Sequence, residues 1–462
     1  MSQVDHAPIV AVVLAGGRGL RFGSEMPKQF VKLAGRMVIE HTIDVFEMAE
    51  AVDEIIVVVP GGYQDMIWEA VSRNTWSKVS KVVEGGRDRA DSTASAITAL
   101  SAHPDHARIL VHDAARPLLD SATIGRCLDA LKSYDAVDVV VPASDTIVEV
   151  GGDSHITDIP DRSRLRRGQT PQGFRLKVLR DAYSCAAARG LAGVTCDCGV
   201  VRRELPHVPI TTVLGSSANL KITDGVDLYI AEKLIQTRSV NQAQGHADLQ
   251  AIGGRVIVVL GASSGIGRAV TLLAQQKGAR VHGASRSGNG VDVSCGGSLG
   301  RFIAEVAQRE ERIDAVINCA GVLVKKPLGS LSMAEIRTIV DTNLIGAIAV
   351  AQAAHPYLRA SKGTLVNFTS SSYTRGRAFY ATYSATKAAV VNFSQALAEE
   401  WGTDNIRVLC INPERTATPM RELNFGAEPP ESLLSPDQVA YATLQAICSS
   451  LTGVVFDVRR ND

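Results

Sequence analysis

The hydrophobic positions of this chain form short apolar runs that alternate with longer stretches of helical periodicity. In the first half the apolar runs are residues 10–14, 55–59, 109–111 and 137–141, and residues 92–100 carry a helical pattern. Continuous apolar runs of this length are typical of strands that are covered on both faces. The pattern therefore predicts an α/β fold with a mostly parallel sheet.

A second cycle of the same kind begins near residue 256. Between the cycles, residues 237–253 are rich in Gln, Asn, Gly and Ala and lack apolar periodicity, which predicts a linker. Since 462 residues exceed what one hydrophobic core usually supports, we predict two doubly wound α/β domains, residues 1–238 and 250–462. The apolar runs of the second cycle are residues 256–260, 280–283, 315–318, 365–369 and 407–412.

Composition and charge exclude several classes of function. Lys+Arg and Asp+Glu number 48 each, so no net field draws the whole chain to nucleic acid or anionic lipid. The start is short and polar, and no apolar stretch is long enough for a signal peptide or a membrane span. The eight cysteines are scattered, and Cys196 and Cys198 stand too close for a C-x2-C metal site. We therefore expect a cytoplasmic enzyme with reduced thiols and no nucleic-acid or membrane partner.

A glycine-rich, basic loop follows the first apolar run. It reads LAGGRGLRFG from Leu14 to Gly23 and continues to Pro27, Lys28 and Gln29. Glycines let backbone N–H groups approach phosphate oxygens closely, and the arginines and the lysine supply positive charge. The loop predicts a triphosphate site, although a glycine-rich turn with solvated charges would have the same composition.

This loop resembles the signature of the sugar-nucleotide and cytidylyltransferase superfamily, L-x-A-G-G-x-G-x-R-x-G-x-x-x-P-K, and Lys28-Gln29-Phe30 resembles its cytidylyltransferase branch. The resemblance implies a Rossmann-like nucleotidyltransferase fold in which a polyol phosphate oxygen attacks the α-phosphorus of CTP and pyrophosphate leaves. Residues 168–172 look more like the ribitol phosphate than the methylerythritol phosphate enzymes. Further matches are Gly85-Gly86-Arg87 with Ser92, residues 111–117, Asp145-Thr146, residues 169–172 and residues 219–223.

The same resemblance implies roles for individual residues. Arg21 and Lys28 match cations that stabilise the transition state, and Lys221 matches a third basic residue on the α-phosphate. Asp113 matches the residue that holds Mg2+, although its carboxylate could instead pair with Arg116. The remaining implied contacts are to CTP, from Ala15, Gly16, Gly17, Gly19, Gly85, Gly86 and Ser92, and to the acceptor phosphate, from Arg162 and Thr170.

The second cycle opens with a strand, a glycine turn and a helix. Such a unit places a dinucleotide pyrophosphate at a helix N-terminus. The spacing G-x-x-x-G-x-G from Gly261 to Gly267 resembles the short-chain dehydrogenases/reductases, and Asn318-Cys319-Ala320-Gly321 and the Y-x-x-x-K run that begins at Tyr383 match further motifs. The resemblance implies a Rossmann fold that binds a nicotinamide cofactor through Gly261, Ser263, Ser264, Gly265, Ile266, Gly267, Asn318, Ala320, Tyr383 and Lys387.

The Y-x-x-x-K spacing has a physical reason. Residues four apart lie on one face of a helix, so the ammonium of Lys387 can stand beside the phenol of Tyr383. A neighbouring cation is expected to lower the pKa of Tyr383, which makes it a better general acid for a carbonyl oxygen. By resemblance, Ser370 bonds to that oxygen and Asn343 supports the lysine through a water. A surface helix pair would show the same spacing.

Cofactor choice is predicted from the end of the run at 280–283. It is followed by Ala284, Ser285 and Arg286, without the carboxylate that would bind the ribose of NAD. Arg286 is placed to meet a 2′-phosphate, so NADPH is predicted, with Asp292 near the adenine. Residues 412–416 depart from the family's Pro-Gly pattern, and the short substrate-covering region suits a small substrate. Candidate phosphate contacts, which could equally be solvated charges, are Arg415, Arg421, Lys325 and Lys326.

Taken together, the two domains resemble bifunctional ribulose 5-phosphate reductase/CDP-ribitol pyrophosphorylases. The resemblance implies that D-ribulose 5-phosphate, a pentulose phosphate, is reduced by NADPH, and that the pentitol phosphate is joined to CTP with Mg2+. The product would be CDP-ribitol for capsule or cell-wall polymers, made by a homodimer. CDP-arabinitol or another CDP-pentitol is an alternative product, and a non-catalytic NADPH-sensing second domain is an alternative role.

Overall fold

The chain folds into two compact units, Met1–Leu234 and Ile235–Asp462, and each is described by itself. Both units contain a sheet with helices packed on it, so the predicted α/β class is confirmed. The computed structural model describes residues 7–17, 26–189, 195–242 and 249–460.

The first unit has a central sheet of eight strands. Its strands are β1 Ile9–Leu14, β2 Lys32–Leu33, β3 Arg36–Met37, β4 Glu54–Val59, β5 Val79–Glu84, β6 Arg108–Asp113, β7 Ala136–Pro142, β8 Glu149–Val150, β9 Ile156–Asp158, β10 Arg166–Gly168, β11 Gln172–Arg175 and β12 Ile210–Leu214. Its helices are α1 Val38–Glu47, α2 Gln64–Asn74, α3 Arg89–Ala99, α4 Ser121–Ala130, α5 Leu176–Arg189, α6 Asp197–Glu204 and α7 Gly225–Gln242.

The order of strands in this sheet is β10, β7, β11, β6, β1, β4, β5, and β12 pairs with β7 as well. The predicted parallel arrangement holds for β6, β1, β4 and β5. The sheet is mixed overall, because β10 runs antiparallel to β7 and β11 runs antiparallel to both β6 and β7. Strands β2 with β3 and β8 with β9 form two small separate hairpins.

Both faces of the central strands are covered. Ala11 and Val13 of β1 belong to one buried apolar cluster, and Val10 and Val12 belong to another. Successive side chains of a strand point to opposite faces, so every residue of such a strand must be apolar. This is why the uninterrupted apolar runs predicted buried strands.

The second unit has a sheet of six parallel strands in the order β14, β13, β15, β16, β17, β18. These strands are β13 Val256–Leu260, β14 Arg280–Ala284, β15 Ala315–Asn318, β16 Thr364–Phe368, β17 Arg407–Pro413 and β18 Val455–Val458. Its helices are α8 Gly265–Gln276, α9 Arg286–Asn289, α10 Gly296–Glu310, α11 Met333–Val340, α12 Gly346–Ser361, α13 Ala381–Glu400, α14 Pro419–Phe425 and α15 Pro436–Cys448.

The predicted linker is structured at both ends. Helix α7 continues to Gln242, and Leu249–Ile252 forms a 3-10 helix whose Leu249 and Ile252 side chains are buried. Burial of these two apolar side chains stabilises the 3-10 helix at the start of the second unit.

Among the described helices, none combines the length and the apolar character needed to cross a bilayer.

Candidate active sites

Two glycine-rich loops of the first unit meet at Ser92. A Cβ atom on Gly16 would lie 2.3 Å from Ser92 Oγ, and one on Gly85 would lie 2.8 Å from the same atom. A Cβ on Gly86 would lie 2.1 Å from Cβ of Asp91. Only glycine allows the loops after β1 and β5 to approach α3 this closely. The structure therefore brings together these predicted CTP residues, which the sequence separates by about seventy positions.

Gln29 shapes the first of these loops. Its Nε2 atom donates hydrogen bonds to the carbonyl oxygens of Ala15 at 2.5 Å and of Gly17 at 3.0 Å. These two bonds fix the direction of the carbonyl groups of Ala15 and Gly17 in the loop. Gly19, a predicted CTP contact, and Arg21, a predicted transition-state cation, lie outside the described residues.

Three cations surround Asp113 at the C-terminal end of β6. Lys221 Nζ lies 2.8 Å from Asp113 Oδ2, Arg89 Nε lies 3.2 Å from Oδ1, and Arg116 Nε lies 3.7 Å from Oδ2. Burial alone would raise the pKa of the Asp113 carboxyl, but Arg89, Lys221 and Arg116 outweigh it and hold that pKa well below its usual range. Asp113 therefore does pair with Arg116, as the alternative prediction held, but Arg116 is the most distant of the three cations.

Lys28 and Thr170 join this group through short contacts. Lys28 Nζ donates a hydrogen bond to the carbonyl oxygen of Ile222 at 2.6 Å, next to Lys221. Thr170 Oγ1 accepts a hydrogen bond from the Asp113 backbone N–H at 3.1 Å and is buried.

Arg162, the other predicted acceptor contact, is exposed. Its Nη1 atom donates to the carbonyl oxygen of Ser144 at 2.9 Å. No hydrogen bond or ion pair of the described residues connects it to Asp113.

Arg89 and Asp197 also belong to this group, although no motif in the sequence pointed to them. Arg89 bridges two carboxylates, since its Nη1 atom lies 2.6 Å from Asp197 Oδ2 while its Nε atom contacts Asp113. Asp197 is fully buried, and its Oδ1 atom accepts hydrogen bonds from Tyr183 Oη at 2.6 Å and Thr93 Oγ1 at 2.9 Å. Burial would lower the pKa of Arg89, but Asp197 and Asp113 raise it above its usual range. A buried carboxylate thus supports, through Arg89, the carboxylate at the predicted metal position.

The residues present are compatible with Mg2+ of the kind that nucleotidyltransferases use. Mg2+ is usually bound by one or two carboxylates together with substrate phosphates. The described residues contain no group of three or more His, Cys, Asp or Glu side chains that could hold a metal alone. A metal here would be held by Asp113 and by the triphosphate of CTP.

The second unit contains a cavity of about 830 Å3 at the C-terminal ends of its strands. Ligands of open parallel sheets bind at this edge. All of the residues predicted to bind the nicotinamide cofactor line this cavity except Asn318. Asn318 lies next to the lining, since its Oδ1 atom accepts a hydrogen bond from the N–H of the lining residue Ala320 at 3.3 Å. The structure therefore gathers the predicted cofactor residues around one cavity.

The glycine turn after β13 depends on two close approaches. Gly261 has a φ of 75°, and a Cβ there would lie 2.9 Å from the backbone nitrogen of Ala320. A Cβ on Gly267 would lie 2.2 Å from the carbonyl oxygen of Gly261. Glycine at these positions lets α8 start close to β13 with its N-terminus directed at the cavity.

Arg286 lies at one end of the cavity. Its Nε atom is 3.8 Å from Asp292 Oδ2, and its side chain is more than half exposed. Ser263 and Ser287, whose hydroxyls are 3.1 Å apart, line the same end. No carboxylate ends β14, and Arg286 lies at this end of the cavity beside Asp292 and the two hydroxyl groups.

Three of the four predicted catalytic residues, Ser370, Tyr383 and Lys387, line this cavity, and Asn343 lies outside its lining. Lys387 Nζ lies 5.7 Å from the ring centroid of Tyr383, and Tyr383 forms a hydrogen bond with Ser370. Asn343 exchanges two hydrogen bonds with the backbone of Val322, at 2.8 and 2.9 Å. All four predicted residues are thus held in place by bonds within the second unit.

One electrostatic prediction for this site is wrong. Burial raises the pKa of Tyr383 to about 12, although the hydrogen bond from Ser370 lowers it somewhat. Burial likewise lowers the pKa of Lys387 to about 8. The ammonium donates to the carbonyl oxygen of Phe368 at 2.8 Å, so it does not approach the phenol closely enough to outweigh the burial. Tyr383 is consequently a protonated phenol at neutral pH.

The unusual segment 412–416 completes the wall of the cavity. Asn412 Nδ2 donates to Asp457 Oδ1 at 2.6 Å, and the N–H of Glu414 donates to the carbonyl oxygen of Val458 at 2.9 Å. These bonds fasten the segment to β18. Of the four predicted phosphate contacts, Arg415 and Arg421 line the cavity, and Lys325 and Lys326 lie outside its lining.

Comparison with known proteins assigns both domains to families. Residues 9–237 match the IspD family, 2-C-methyl-D-erythritol 4-phosphate cytidylyltransferase, and residues 255–428 match the short chain dehydrogenase family. The chain is 44% identical over 457 residues to the bifunctional ribulose 5-phosphate reductase/CDP-ribitol pyrophosphorylase Bcs1 of Haemophilus influenzae, covering 98% of this chain and 96% of that protein. The chain belongs to this bifunctional family.

As a member of this family, the chain is an enzyme with a cytidylyltransferase domain followed by a short-chain reductase domain, which confirms the predicted function class. The short-chain dehydrogenase match also supports a nicotinamide cofactor.

The first domain has single-function relatives of two kinds. It is 42% identical over 233 residues to the 2-C-methyl-D-erythritol 4-phosphate cytidylyltransferase of Thermobifida fusca (strain YX), covering 50% of this chain and 94% of that protein. It is 36% identical over 235 residues to the ribitol-5-phosphate cytidylyltransferase of Lactiplantibacillus plantarum, covering 50% of this chain and 100% of that protein. Overall identity to these two relatives therefore does not favour the ribitol branch.

Proposed function

We propose that the chain makes CDP-ribitol in two steps. The second domain reduces D-ribulose 5-phosphate with NADPH to D-ribitol 5-phosphate, and the first domain transfers the cytidylyl group of CTP to that product and releases pyrophosphate. The observation that carries this proposal is the similarity to Bcs1 over 98% of the chain. The two intact clusters around Asp113 and around Tyr383 support it, because each contains the groups that its reaction needs.

In the reductase domain, Tyr383 is the general acid. Its phenol remains protonated at neutral pH because burial raises its pKa, so it has a proton to give to the carbonyl oxygen of the substrate. NADPH supplies the hydride that adds to the carbonyl carbon. Ser370, already bonded to Tyr383, orients the same oxygen. The positive charge of Lys387, 5.7 Å from the centre of the Tyr383 ring, favours the phenolate that remains after proton transfer, although burial of the phenol outweighs this effect.

In the cytidylyltransferase domain, the acceptor's phosphate oxygen forms a bond to the α-phosphorus of CTP as the bond to pyrophosphate breaks. This chemistry depends on positioning and on charge neutralisation more than on covalent catalysis. Lys28, bonded to the Ile222 carbonyl, and Lys221, paired with Asp113, supply positive charge where the phosphoryl oxygens would lie. Mg2+ bound at Asp113 would neutralise the triphosphate and orient the leaving group.

Several finer assignments belong to the same proposal. The two domains are residues 1–238 and 250–462. Arg286 binds the 2′-phosphate of NADPH, and the loops that meet at Ser92 bind CTP. Exposed apolar side chains on the β8 to β9 hairpin and just after it, Val150, Ile156 and Ile159, support self-association as a homodimer. The eight cysteines, all of which lie among the described residues, form no disulfide bond, which supports a reducing compartment such as the cytoplasm. The CDP-ribitol would serve as a precursor of capsule or cell-wall polymers.

The test is a coupled assay with the purified full chain, D-ribulose 5-phosphate, NADPH, CTP and Mg2+. We expect NADPH oxidation together with a product that has the mass of a CDP-pentitol, and chiral chromatography then separates ribitol from arabinitol. Tyr383→Phe should lower NADPH oxidation by at least about 100-fold, while CTP and supplied ribitol 5-phosphate still give CDP-ribitol. Pyrophosphate release without any pentulose phosphate reduction would reject the reductase half and support a non-catalytic second domain.

A further inference from the structure

Five cationic side chains among the described residues line the reductase cavity. Arg286 lies at the end that contains Ser263, and Lys387 lies beside Tyr383 with its ammonium bonded to the Phe368 carbonyl. The other lining cations are Arg377, Arg415 and Arg421. Arg286 is assigned to the cofactor and Lys387 to catalysis. Arg377, Arg415 and Arg421 are therefore the lining cations left as candidates for binding an anionic substrate.

Arg421 is already neutralised within the protein. Its Nε and Nη2 atoms contact the two carboxylate oxygens of Glu428 at 2.6 and 2.8 Å, a two-point ion pair. Arg421 also lies over the ring of Phe425, with 4.5 Å from Cζ to the ring centroid. A guanidinium bound at two points to a carboxylate has its planar fork occupied, so it is poorly available for a phosphate.

The two predicted lysines are engaged as well. Lys326 Nζ forms an ion pair with Glu335. Lys325 Nζ lies 4.4 Å from the centroid of the Phe425 ring, and neither lysine lines the cavity. Three of the four cations that the sequence proposed for phosphate therefore have other partners.

Arg377 and Arg415 remain. Both line the cavity, both are exposed, and no ion pair of either guanidinium is found among the described residues. The charge of Arg415 acts on Glu428, whose carboxyl pKa it helps to lower. Exposed arginines without an ion-pair partner at the wall of a cavity can form new two-point contacts with a phosphate.

The backbone at Arg377 is fastened to the catalytic helix. The N–H of Arg377 donates to Ser384 Oγ at 3.3 Å, and Ser384 Oγ donates to the carbonyl oxygen of Tyr380 at 3.1 Å. Ser384 follows Tyr383 directly in α13, and Ser370 begins the same loop that carries Arg377. The position of Arg377 is therefore coupled to both groups that act on the carbonyl.

Resting on the proposed function, we propose that Arg377, together with Arg415, binds the phosphate of the pentulose phosphate and so makes the reductase specific for phosphorylated ketopentoses. In D-ribulose 5-phosphate the phosphorus is five bonds from the carbonyl carbon, so a cation near Tyr383 is needed to hold both ends. Arg377 meets this requirement because it lines the same cavity as Tyr383 and its backbone is bonded to Ser384, the residue after Tyr383. Arg421 instead serves, with Glu428 and Phe425, to hold α14 against the cavity.

The test uses the full chain and the variant Arg377→Met, with Arg375→Met as the matched control. Arg375 is exposed in the same loop but does not line the cavity. With saturating NADPH, Arg377→Met should raise KM for D-ribulose 5-phosphate by about 10- to 100-fold, the range expected for lost charge-assisted hydrogen bonds. Arg377→Lys should recover part of this loss, since it keeps the charge but not the fork.

Two further readouts separate phosphate binding from a general effect on the site. Inorganic phosphate should inhibit the wild-type reductase in competition with D-ribulose 5-phosphate, and Arg377→Met should weaken that inhibition while Arg375→Met leaves it unchanged. The kcat/KM for unphosphorylated D-ribulose, the KM for NADPH and cytidylyl transfer should stay the same in Arg377→Met. These unchanged values also verify that the variant is folded.

The outcomes are distinguishable. If wild type reduces D-ribulose 5-phosphate but Arg377→Met and Arg375→Met have the same KM, the phosphate is bound elsewhere and the inference is wrong. An equal loss of kcat/KM for D-ribulose and D-ribulose 5-phosphate would show a structural role and would also overturn it. A wild-type chain that oxidises no NADPH with any pentulose phosphate would reject the proposed reaction itself.

Discussion

Replacing Asp197 by asparagine tests the buried charge network of the first domain. The substitution preserves the shape of the side chain but removes the charge that Arg89 contacts at 2.6 Å. It also offers Tyr183 and Thr93 a poorer acceptor than a carboxylate. Because Asp197 is fully buried, no water can replace what is lost.

The size of the effect follows from the partners that remain. Removing one member of a buried ion pair costs about 3–5 kcal/mol. Arg89 keeps Asp113 on its other side, so the lower end of that range applies. We expect the free energy of unfolding of the first domain to fall by about 3 kcal/mol, which is a large part of the 5–15 kcal/mol typical of a whole domain. A loss of this size lowers the midpoint of urea unfolding by about 1 M.

The assay is equilibrium urea unfolding followed by tryptophan fluorescence. Of the three tryptophans, Trp68 and Trp76 lie in the first unit and Trp401 in the second. A Trp401→Phe background therefore confines the signal to the first domain, and it is present in every protein compared. The matched variant is Tyr183→Phe, which removes one hydrogen bond to Asp197 but no charge, and should cost about 1.5 kcal/mol.

The ordering of the two variants decides the outcome. If Asp197→Asn costs less than about 1 kcal/mol, Arg89 and Asp197 do not form the buried ion pair described above. A Tyr183→Phe loss as large as that of Asp197→Asn would refute the reasoning as well, because the effect would then not depend on charge. NADPH oxidation by the second domain should be unchanged in both variants.

Four further predictions concern the reductase. Arg286→Ala should raise KM for NADPH by about 10-fold or more while leaving KM for NADH nearly unchanged, because only NADPH carries the 2′-phosphate; equal shifts for both cofactors would contradict the assignment. Burial lowers the pKa of Lys387 to about 8, so kcat/KM for reduction should fall as pH rises through that value and the ammonium is lost; a profile flat to about pH 10 would disprove it. The lowered pKa of Lys387 also affects stability. Between about pH 8, its pKa in the folded protein, and about pH 10.4, its pKa in the unfolded chain, the unfolded chain binds more protons, so the free energy of unfolding of the second domain should rise with pH. Gly267→Ala places a Cβ 2.2 Å from the Gly261 carbonyl oxygen, so it should abolish NADPH binding in a titration of cofactor fluorescence while cytidylyl transfer persists.

Local patterns in the sequence were sufficient for much of this protein. The apolar runs predicted strands such as β13 and β15 with their observed bounds. Buried strands are apolar at every position, so they need no knowledge of their neighbours to be found. Tyr383 and Lys387 were predicted correctly as neighbours because one turn of α13 separates them. The glycine turn from Gly261 to Gly267 was found for the same reason, since its geometry is set within one strand, turn and helix.

The antiparallel strands β10 and β11 escaped prediction. They are three and four residues long, and β10 is exposed along its whole length. Such short segments carry little periodicity, and their direction depends on pairing with β6 and β7, which are distant in sequence. Sheet order at this edge is therefore a tertiary property.

The sequence by itself determined the fold class, the two domains' families and the residues of the glycine turns and the Tyr-Lys helix, because these depend on contacts between residues a few positions apart. Only the tertiary structure decided that Arg89 meets Asp197, 108 positions away. The same holds for the ion pair of Arg421 with Glu428, while Arg377 forms no ion pair within the part of the chain that the structure describes. The tertiary structure also reversed the predicted pKa shift of Tyr383. Burial and the pairing of charges depend on which distant segments pack together, and a linear pattern of residues does not contain that information.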